Sequence, residues 1–300
     1  RTDAAGFTIG NKGYICGGYN GKTTRLADTW EYDIDNDWWT QRADMPGTVR
    51  NAATGFPVGN KGYITTGYNP DQKYLADTWE YDPETNTWRQ MDDFKGGARY
   101  YALGFGIDNY GYVGTGYNDN YLKDFYRFDP TAAAGSQWTI VNGFGGQKRQ
   151  GATAFVINGK AYVCGGQNNN SDVSDFWCFD PSAATPWTQL RDIANTSDDD
   201  YDDDYTSIVR SYGVSFVIDG KAYLTLGSTA GGSYYSNYWI YDPETDLWEG
   251  DDLTAFEGST RIHAVCFSTG TRGIIATGGS GSSSYFDDTW ELKPYEYEEE

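Results

Sequence analysis

The sequence predicts an all-β fold, a six-bladed β-propeller with four antiparallel strands per blade, whose last blade lacks its outer strand. Three observations lead to this prediction. Short apolar strands recur in six similar units of about 50 residues, a period typical of propeller blades. Aromatic residues make up 17% of the 300 residues, and 26 of them are Tyr, which favours strands over helices. Thirty-eight Gly supply the many turns that such a fold needs.

The second half of each unit is best seen in residues 77–88, DTWEYDPETNTW. The segment predicts a strand, a tight turn at Asp82-Pro83 and a second strand that ends on Trp88. Related segments occupy residues 28–39, 124–138, 175–187 and 237–248, and a sixth begins at residue 288 and stops early. Five units therefore reach a fourth strand and the sixth does not.

The first half of each unit begins with an arginine, which we call the opener. The six openers are Arg1, Arg50, Arg99, Arg149, Arg210 and Arg261. A phenylalanine follows six residues later in a first strand, and a glycine ends the second strand. These glycines are spaced by 49, 49, 50, 61 and 51 residues. The regular spacing predicts one propeller domain over residues 1–300, with blades at approximately 1–49, 50–98, 99–148, 149–209, 210–260 and 261–300, the last with an acidic tail.

The stacking of blades explains the small residues found five positions after each opener. A single four-stranded sheet cannot bury both of its faces, whereas neighbouring blades cover them. First strands lie nearest the axis, where blades crowd together and a large side chain would overpack. The series at this position is Gly6, Gly55, Gly104, Ala154, Ser215 and Cys266. The four Cys of the chain are too few for a disulfide scaffold, and we expect free thiols, with a bridge between Cys164 and Cys178 as the alternative.

The glycine pairs at residues 17–18 and 165–166, the spaced Tyr and the terminal Trp resemble kelch repeats. Residues 59–88 are most similar to exported kelch proteins of Bacteroidetes, related to the central domain of galactose oxidase. This resemblance implies a location on the bacterial outer-membrane surface, in the periplasm or outside the cell, with a possible membrane tether upstream of Arg1. It also implies that a strand from before Arg1 completes the last blade; otherwise that blade has three strands.

An acidic insertion accounts for the long spacing of 61 residues. It carries six aspartates, Asp198, Asp199, Asp200, Asp202, Asp203 and Asp204. Clustered carboxylates could bind Ca²⁺, but the glycine-turned spacing of a calcium loop is absent, which favours a solvated loop.

The openers should lie near one mouth of the central channel, because all first strands run in the same direction along the axis. On the same face we expect Tyr19, Asn20, Tyr68, Asn69, Tyr117 and Asn118. An arginine ring formed by Arg50, Arg99, Arg149, Arg210 and Arg261, with Tyr and Asn around it, could bind a carboxylate or a sugar. The alternative is that the arginines bond to neighbouring blades or to acids, since a residue repeated in every blade usually serves the repeat.

His263 and Glu257 are the weak candidates for catalysis. His263 is the one histidine in the sequence, and no partner for it is evident. A copper site like that of galactose oxidase needs two histidines. A zinc site is also disfavoured, because the chain has one histidine and scattered cysteines. We therefore expect no cofactor. The net charge of −21 argues against nucleic acid as a partner, and no apolar run is long enough to span a membrane.

The favoured function is an exported, non-catalytic binding module that presents the channel-mouth face to a glycan or a protein. One alternative is a sugar mutarotase or epimerase similar to six-bladed kelch sialic-acid mutarotases, with His263 or Glu257 facing the arginines. Another is a scaffold subunit of a bacterial cell-surface complex.

Overall fold

The computed structural model describes residues 1–21, 24–250 and 254–294. It is an all-β, six-bladed propeller, as predicted. Five sheets have four antiparallel strands in the order first, second, third and fourth. The sixth sheet has three strands in the described residues, which confirms that the outer strand is lacking there. The predicted acidic tail, residues 295–300, lies outside the described residues.

The strands of the blades follow the repeat. The first strands, nearest the axis, are Ala5–Ile9, Thr54–Val58, Leu103–Ile107, Thr153–Ile157, Val214–Ile218 and Val265–Ser268. The second strands are Lys12–Cys16, Lys61–Thr65, Tyr110–Gly114, Lys160–Cys164, Lys221–Thr225 and Gly273–Ala276. The third strands are Thr29–Asp33, Thr78–Asp82, Phe125–Phe128, Trp177–Phe179, Trp239–Asp242 and Thr289–Leu292. The fourth strands are Trp38–Arg42, Thr87–Met91, Trp138–Val141, Trp187–Gln189 and Leu247–Glu249.

Short elements lie in the connections between the main strands. Among the described residues, three hairpins of two-residue strands pair Tyr68–Asn69 with Lys73–Tyr74, Gln167–Asn168 with Ser171–Asp172, and Gly279–Ser280 with Ser284–Tyr285. A single turn of 3-10 helix, Asp200–Asp202, lies in the acidic insertion. No helix in the described ranges is long and apolar enough to cross a membrane.

The core is divided into layers between neighbouring blades. Phe7 and Tyr14 face each other across the first two strands of blade one, with ring centroids 5.1 Å apart. Their cluster includes Ile64 and Tyr81 of blade two, all nearly inaccessible to solvent. Burial of each such side chain stabilises the fold by roughly 1.5–3 kcal/mol. The contacts between blades therefore stabilise the propeller.

The crowding near the axis confirms why small residues recur there. A Cβ on Gly55 would lie only 2.4 Å from the carbonyl oxygen of Gly6 in the preceding blade. The first strand of blade six packs against that of blade one, so the circle of blades is closed. All four cysteines are free thiols, which excludes the alternative bridge between Cys164 and Cys178.

Candidate functional site

Five of the six openers are buried, and Arg1 is partly buried. The guanidinium of Arg50 donates to both carboxylate oxygens of Asp77, at 2.8 and 2.6 Å, and to the carbonyls of Thr66 and Thr48. The Arg50 side chain is 1% exposed. The equivalent pairs are Arg1–Asp28, Arg99–Asp124, Arg149–Asp175 and Arg261–Asp288. A bidentate ion pair of this kind leaves the guanidinium little capacity for an outside ligand.

The acid of each pair comes from the recurring Asp-x-Trp segment. Asp77 also accepts a hydrogen bond from the indole nitrogen of Trp79 at 2.7 Å, and Asp28 and Asp288 are bonded in the same way. Burial alone would raise the pKa of Asp77, but Arg50 and Trp79 outweigh it and lower that pKa. The Asp-x-Trp segment is thus conserved within the chain because it holds the opener.

These contacts correct the prediction of a ligand-binding arginine ring. Arg50, Arg99, Arg149, Arg210 and Arg261 are each 0–1% exposed and bond to groups in or beside their own blade. The alternative reading, that a residue repeated in every blade serves the repeat, describes them correctly.

Blade five departs from this pattern, because Asn237 stands where the other blades have Asp. Arg210 donates to the side-chain oxygen of Asn237 at 3.1 Å and to the carbonyls of Ile208, Ser207 and Leu226. Burial lowers the pKa of Arg210 to about 10. The cation is held by neutral groups alone in this blade.

A closed ring of backbone hydrogen bonds surrounds the axis two residues after each opener. We call its six members the axial ring: Asp3, Ala52, Tyr101, Gly151, Tyr212 and His263. Each N–H donates to the carbonyl of the member in the preceding blade, and Asp3 donates to His263, at 2.8–3.3 Å. All six have φ between 50° and 64°, in the left-handed region that most residues avoid. The backbone of the ring is uniform while its side chains differ.

The side chains of Asp3 and His263 contact each other on the axial ring, with 3.0 Å between Oδ1 and Nδ1. The hydroxyl of Tyr101 donates to the same carboxylate oxygen at 2.7 Å, and its ring stacks on His263. Burial alone would raise the pKa of Asp3, but His263 and the two hydrogen bonds outweigh it and lower that pKa. His263 therefore has a partner that the sequence did not reveal. The available signal was the shared position of the two residues in the repeat.

Tyr212 completes the cluster and contacts both His263 and Tyr101, with ring centroids 4.3 and 4.9 Å away. Its hydroxyl accepts hydrogen bonds from the side-chain amides of Gln150 and Gln167, at 2.7 and 2.6 Å. Burial is the main cause that raises the pKa of Tyr212. The axial side chains thus combine an acid, an imidazole and two neutral phenols.

Glu257 does not join this cluster. Its side chain is exposed and lies near Tyr238, whose pKa it raises after the larger effect of burial. His263 pairs with Asp3 instead. Glu257 is therefore a poor candidate for catalysis at the axis.

A group of tyrosines covers the mouth face on blades one to three. We call it the tyrosine sector: Tyr19, Tyr68, Tyr74, Tyr100, Tyr101, Tyr117 and Tyr121. Tyr100 is central, with ring centroids 4.8–5.7 Å from those of Tyr68, Tyr74, Tyr101 and Tyr117. At the position of Tyr19, Tyr68 and Tyr117, blades four to six carry Gln167, Ser228 and Gly279. This position is therefore aromatic in blades one to three and not in blades four to six.

The asparagines next to these tyrosines differ from one another. Asn69 is buried, accepts from the backbone N–H of Asp71 at 2.9 Å and donates to the carbonyl of Val49 at 2.8 Å. It shapes a turn, so its predicted ligand-binding role is not supported by its geometry. Asn20 is exposed and Asn118 is partly exposed. These two remain predicted ligand contacts.

A shallow pocket of about 560 Å³ opens beside the tyrosine sector between blades one and two. Its lining residues are Tyr19, Thr24, Arg25, Val49, Asn69, Pro70 and Asp71. The guanidinium of Arg25 lies 4.2 Å above the ring of Tyr19. Its Nε donates to the side-chain oxygen of Asn51 at 2.5 Å. Arg25 was not singled out by the sequence pattern, because no arginine recurs at its position in the other units.

The aspartates of the acidic insertion are mostly exposed to solvent. No group of three acidic, histidine or cysteine side chains in the described residues is placed to hold a metal ion. Asp202 is buried and accepts from the backbone N–H groups of Thr196 and Ser197, both at 2.9 Å. The other five aspartates, Asp198, Asp199, Asp200, Asp203 and Asp204, are exposed. This geometry does not support the calcium hypothesis and fits the alternative, a solvated loop.

Comparison with protein families identifies the repeat. Residues 1–147 match the KLHDC2/KLHL20/DRC7 Kelch-repeats domain, and residues 148–190 match the Kelch motif. The chain contains kelch-repeat domains. Kelch propellers commonly mediate binding, typically of proteins. No curated protein matches the chain significantly. Among solved structures, the one titled "Structure of YjhT" is similar over 96% of this chain and 93% of that one, with a TM-score of 0.77 and 15% identity. At this identity the likeness concerns the fold alone.

Proposed function

We propose that this kelch propeller is a non-catalytic binding module whose mouth face holds a glycan or a protein partner. The tyrosine sector is the observation that carries the proposal. The rings of six of its members contact one another in a continuous group, while Tyr19 contacts Tyr285. At the position of Tyr19, Tyr68 and Tyr117, blades four to six carry no aromatic residue.

The physical properties of tyrosine support this proposal. A tyrosine ring offers a large contact area at low cost in side-chain entropy, and its hydroxyl can still form hydrogen bonds. Contacts between the rings restrict them further before any partner binds. Tyr74, for example, stacks on Tyr100 with an interplanar angle of 6° and donates to Asp119 at 2.7 Å. A surface that is already ordered loses less entropy on association.

The test is to make this position polar in blades two and three. The double variant Tyr68→Gln and Tyr117→Ser introduces the residues that blades four and five carry at this position. Binding to a glycan array and to cross-linked cell-surface proteins is then compared with the unchanged protein. We expect a partner whose binding weakens at least tenfold, as for removal of an interface hot spot. Trp38→Ala is the control, because Trp38 is 68% exposed on an outer strand away from the mouth. Equal losses in both variants would refute the proposal.

The location of the protein and its context in the cell remain predictions. Export to a bacterial surface is tested by protease treatment of intact cells, which should cleave an exposed propeller. Recovery of the protein in a stable surface complex, with unchanged assembly in the tyrosine double variant, would favour the scaffold alternative instead.

A sugar mutarotase or epimerase is the second candidate, and the Asp3–His263 pair favours it. A carboxylate bonded to Nδ1 orients the imidazole, so that Nε2 can accept a proton. Opening of a cyclic sugar needs a base for the anomeric hydroxyl and an acid for the ring oxygen. NMR measurement of sialic-acid mutarotation, with His263→Gln and Asp3→Asn variants, tests this candidate. A rate equal to the uncatalysed one would exclude it.

A further inference from the structure

We infer that the pocket between blades one and two binds a hexuronate, a saccharide that carries a carboxylate, and that Arg25 is the residue that recognises this carboxylate. The inference deepens the proposed function and rests on it for the face that the ligand occupies. It assigns the anion-binding role, which the sequence predicted for the openers, to an arginine that does not recur in the repeat.

Arg25 differs from the openers in its electrostatic environment. Its side chain is partly exposed and lines the pocket. No carboxylate lies within ion-pair distance of its guanidinium in the described part of the chain, although the protein carries a net charge of −21. Two acids influence it without such a pair: Asp3, whose pKa Arg25 helps to lower after the larger effects of burial and His263, and Asp71, which lines the same pocket. The donors at the edge of the guanidinium are therefore not taken up by a carboxylate.

The guanidinium is also held in a fixed orientation. It lies over Tyr19, with Tyr68 at 5.9 Å on the neighbouring blade, and its Nε donates to the side chain of Asn51. Asn51 is buried and pairs with Tyr68 through the backbone, so it provides a stable anchor. A planar guanidinium that is held by stacking presents its remaining donors at its edge, which suits the two oxygens of a carboxylate.

The rest of the pocket suits a saccharide ring. Its volume of about 560 Å³ is in the range typical of small-molecule sites. Tyr19, Val49 and Pro70 supply apolar surface for the C–H face of a sugar, and Thr24 supplies a hydroxyl. Asp71 lines the same pocket and opposes an anionic ligand. Its removal should therefore strengthen binding.

The probes are tetragalacturonate and its methyl ester, which share a sugar skeleton and differ in charge, measured by isothermal titration calorimetry. We expect the ester to bind the unchanged protein at least tenfold more weakly than the acid. Arg25→Gln should weaken binding of the acid roughly tenfold to hundredfold, the range of a charge-assisted hydrogen bond, and abolish the preference for it. Arg25→Lys should recover part of the affinity, because it keeps the charge without the fork.

Two variants serve as matched controls. Arg127 also stacks on a tyrosine, Tyr110, at 4.5 Å, but on the third strand of blade three. Arg127→Gln removes the same charge and the same type of contact, and should leave binding of the acid unchanged. Asp71→Asn should tighten it several-fold.

Three results would overturn the inference: equal affinity of the Arg25→Gln variant, binding of hexaglutamate as tight as that of tetragalacturonate, or no binding of tetragalacturonate at millimolar concentration. Melting temperatures establish that each variant is folded. None of these results decides the proposed function, which the Tyr68 and Tyr117 double variant tests with other partners. Loss of binding in that double variant together with unchanged binding in Arg25→Gln would retain the proposed function and remove the uronate.

Discussion

The opener and the axial-ring residue lie two positions apart in every blade, yet they differ in almost every other respect. The opener is an arginine in all six blades, and it is paired with an acid in five of them. The axial-ring position carries Asp, Ala, Tyr, Gly, Tyr and His on one uniform backbone. The difference shows that a position which repeats holds the blade together, whereas a position which varies is free to form a site.

The largest effect should come from removing an opener that faces a carboxylate. Arg50→Met leaves Asp77, whose side chain is 21% exposed, without its cation, and should lower the free energy of unfolding by about 3 kcal/mol. Arg210→Met leaves no charge behind, because its partner is Asn237. We expect a smaller loss there, about 1–2 kcal/mol. Urea denaturation measures both, and equal losses would mean that the carboxylate is not what distinguishes the two blades.

Acid should weaken the same pairs. The pKa values of Asp28, Asp77 and Asp288 are lowered, since their arginine and tryptophan partners outweigh burial. A carboxyl with a lowered pKa in the folded state contributes stability above its ordinary value of 3.8, and this contribution is lost as the pH falls through the lowered pKa. The melting temperature should therefore fall at acid pH. The melting temperature of Arg50→Met should fall less than that of the unchanged protein over this pH interval. A parallel fall in both would contradict the assignment of the pH dependence to the arginine–aspartate pairs.

Restoring the acid in blade five should have a smaller and opposite effect. Asn237→Asp gives Arg210 the ion pair that five blades already have, and should raise the free energy of unfolding by about 1 kcal/mol. Asn60→Asp is the control, since it adds the same charge on an exposed turn. Thermal denaturation distinguishes the two variants. Destabilisation by Asn237→Asp would show that neutral partners suit this arginine better.

The smallest effect concerns the axial ring itself. Ala52 has a φ of 54°, a conformation that a glycine adopts at lower cost, so Ala52→Gly should stabilise the fold by roughly 0.5–1 kcal/mol. Gly151→Ala should destabilise it, because the new Cβ would lie 2.4 Å from the ring of Tyr212. A thermal melt of both variants tests this contrast. Similar shifts of the same sign would contradict it.

The sequence was sufficient for the fold because each unit repeats the same strand, turn and packing signals. It also placed the openers in a common position, but it did not show that Arg50 points into its own blade. The pairing of an opener with an aspartate 27 residues later was visible in blades one, two and six, and Asn237 was visible as the exception. The sequence alone offered no physical reason to connect the two positions. They come together because the chain turns back between the second and third strands of the blade.

The candidate sites were harder to predict because they depend on contacts between blades. Asp3 and His263 are 260 residues apart and meet because the circle of blades closes. Arg25 lies in a loop between strands that has no fixed pattern in the other units. Tyr19, Tyr68 and Tyr117 were predicted to share one face, since they occupy equivalent positions. The repeats therefore predict the strands and their packing, whereas closure of the circle of blades determines which of the varied side chains come together.

The axial ring has one more consequence, for how such a mouth can change over evolution. Every backbone N–H of the ring already donates to the member in the preceding blade, so none is left for the acceptor atoms of a bound molecule. The ring in this respect is unlike the end of a helix, whose unpaired N–H groups favour anions whatever the nearby side chains are. The preference for one ligand over another at the axis must therefore come from the six side chains of the ring, whose backbone need not move. Substitutions at these positions can therefore change the preferred ligand without rebuilding the propeller.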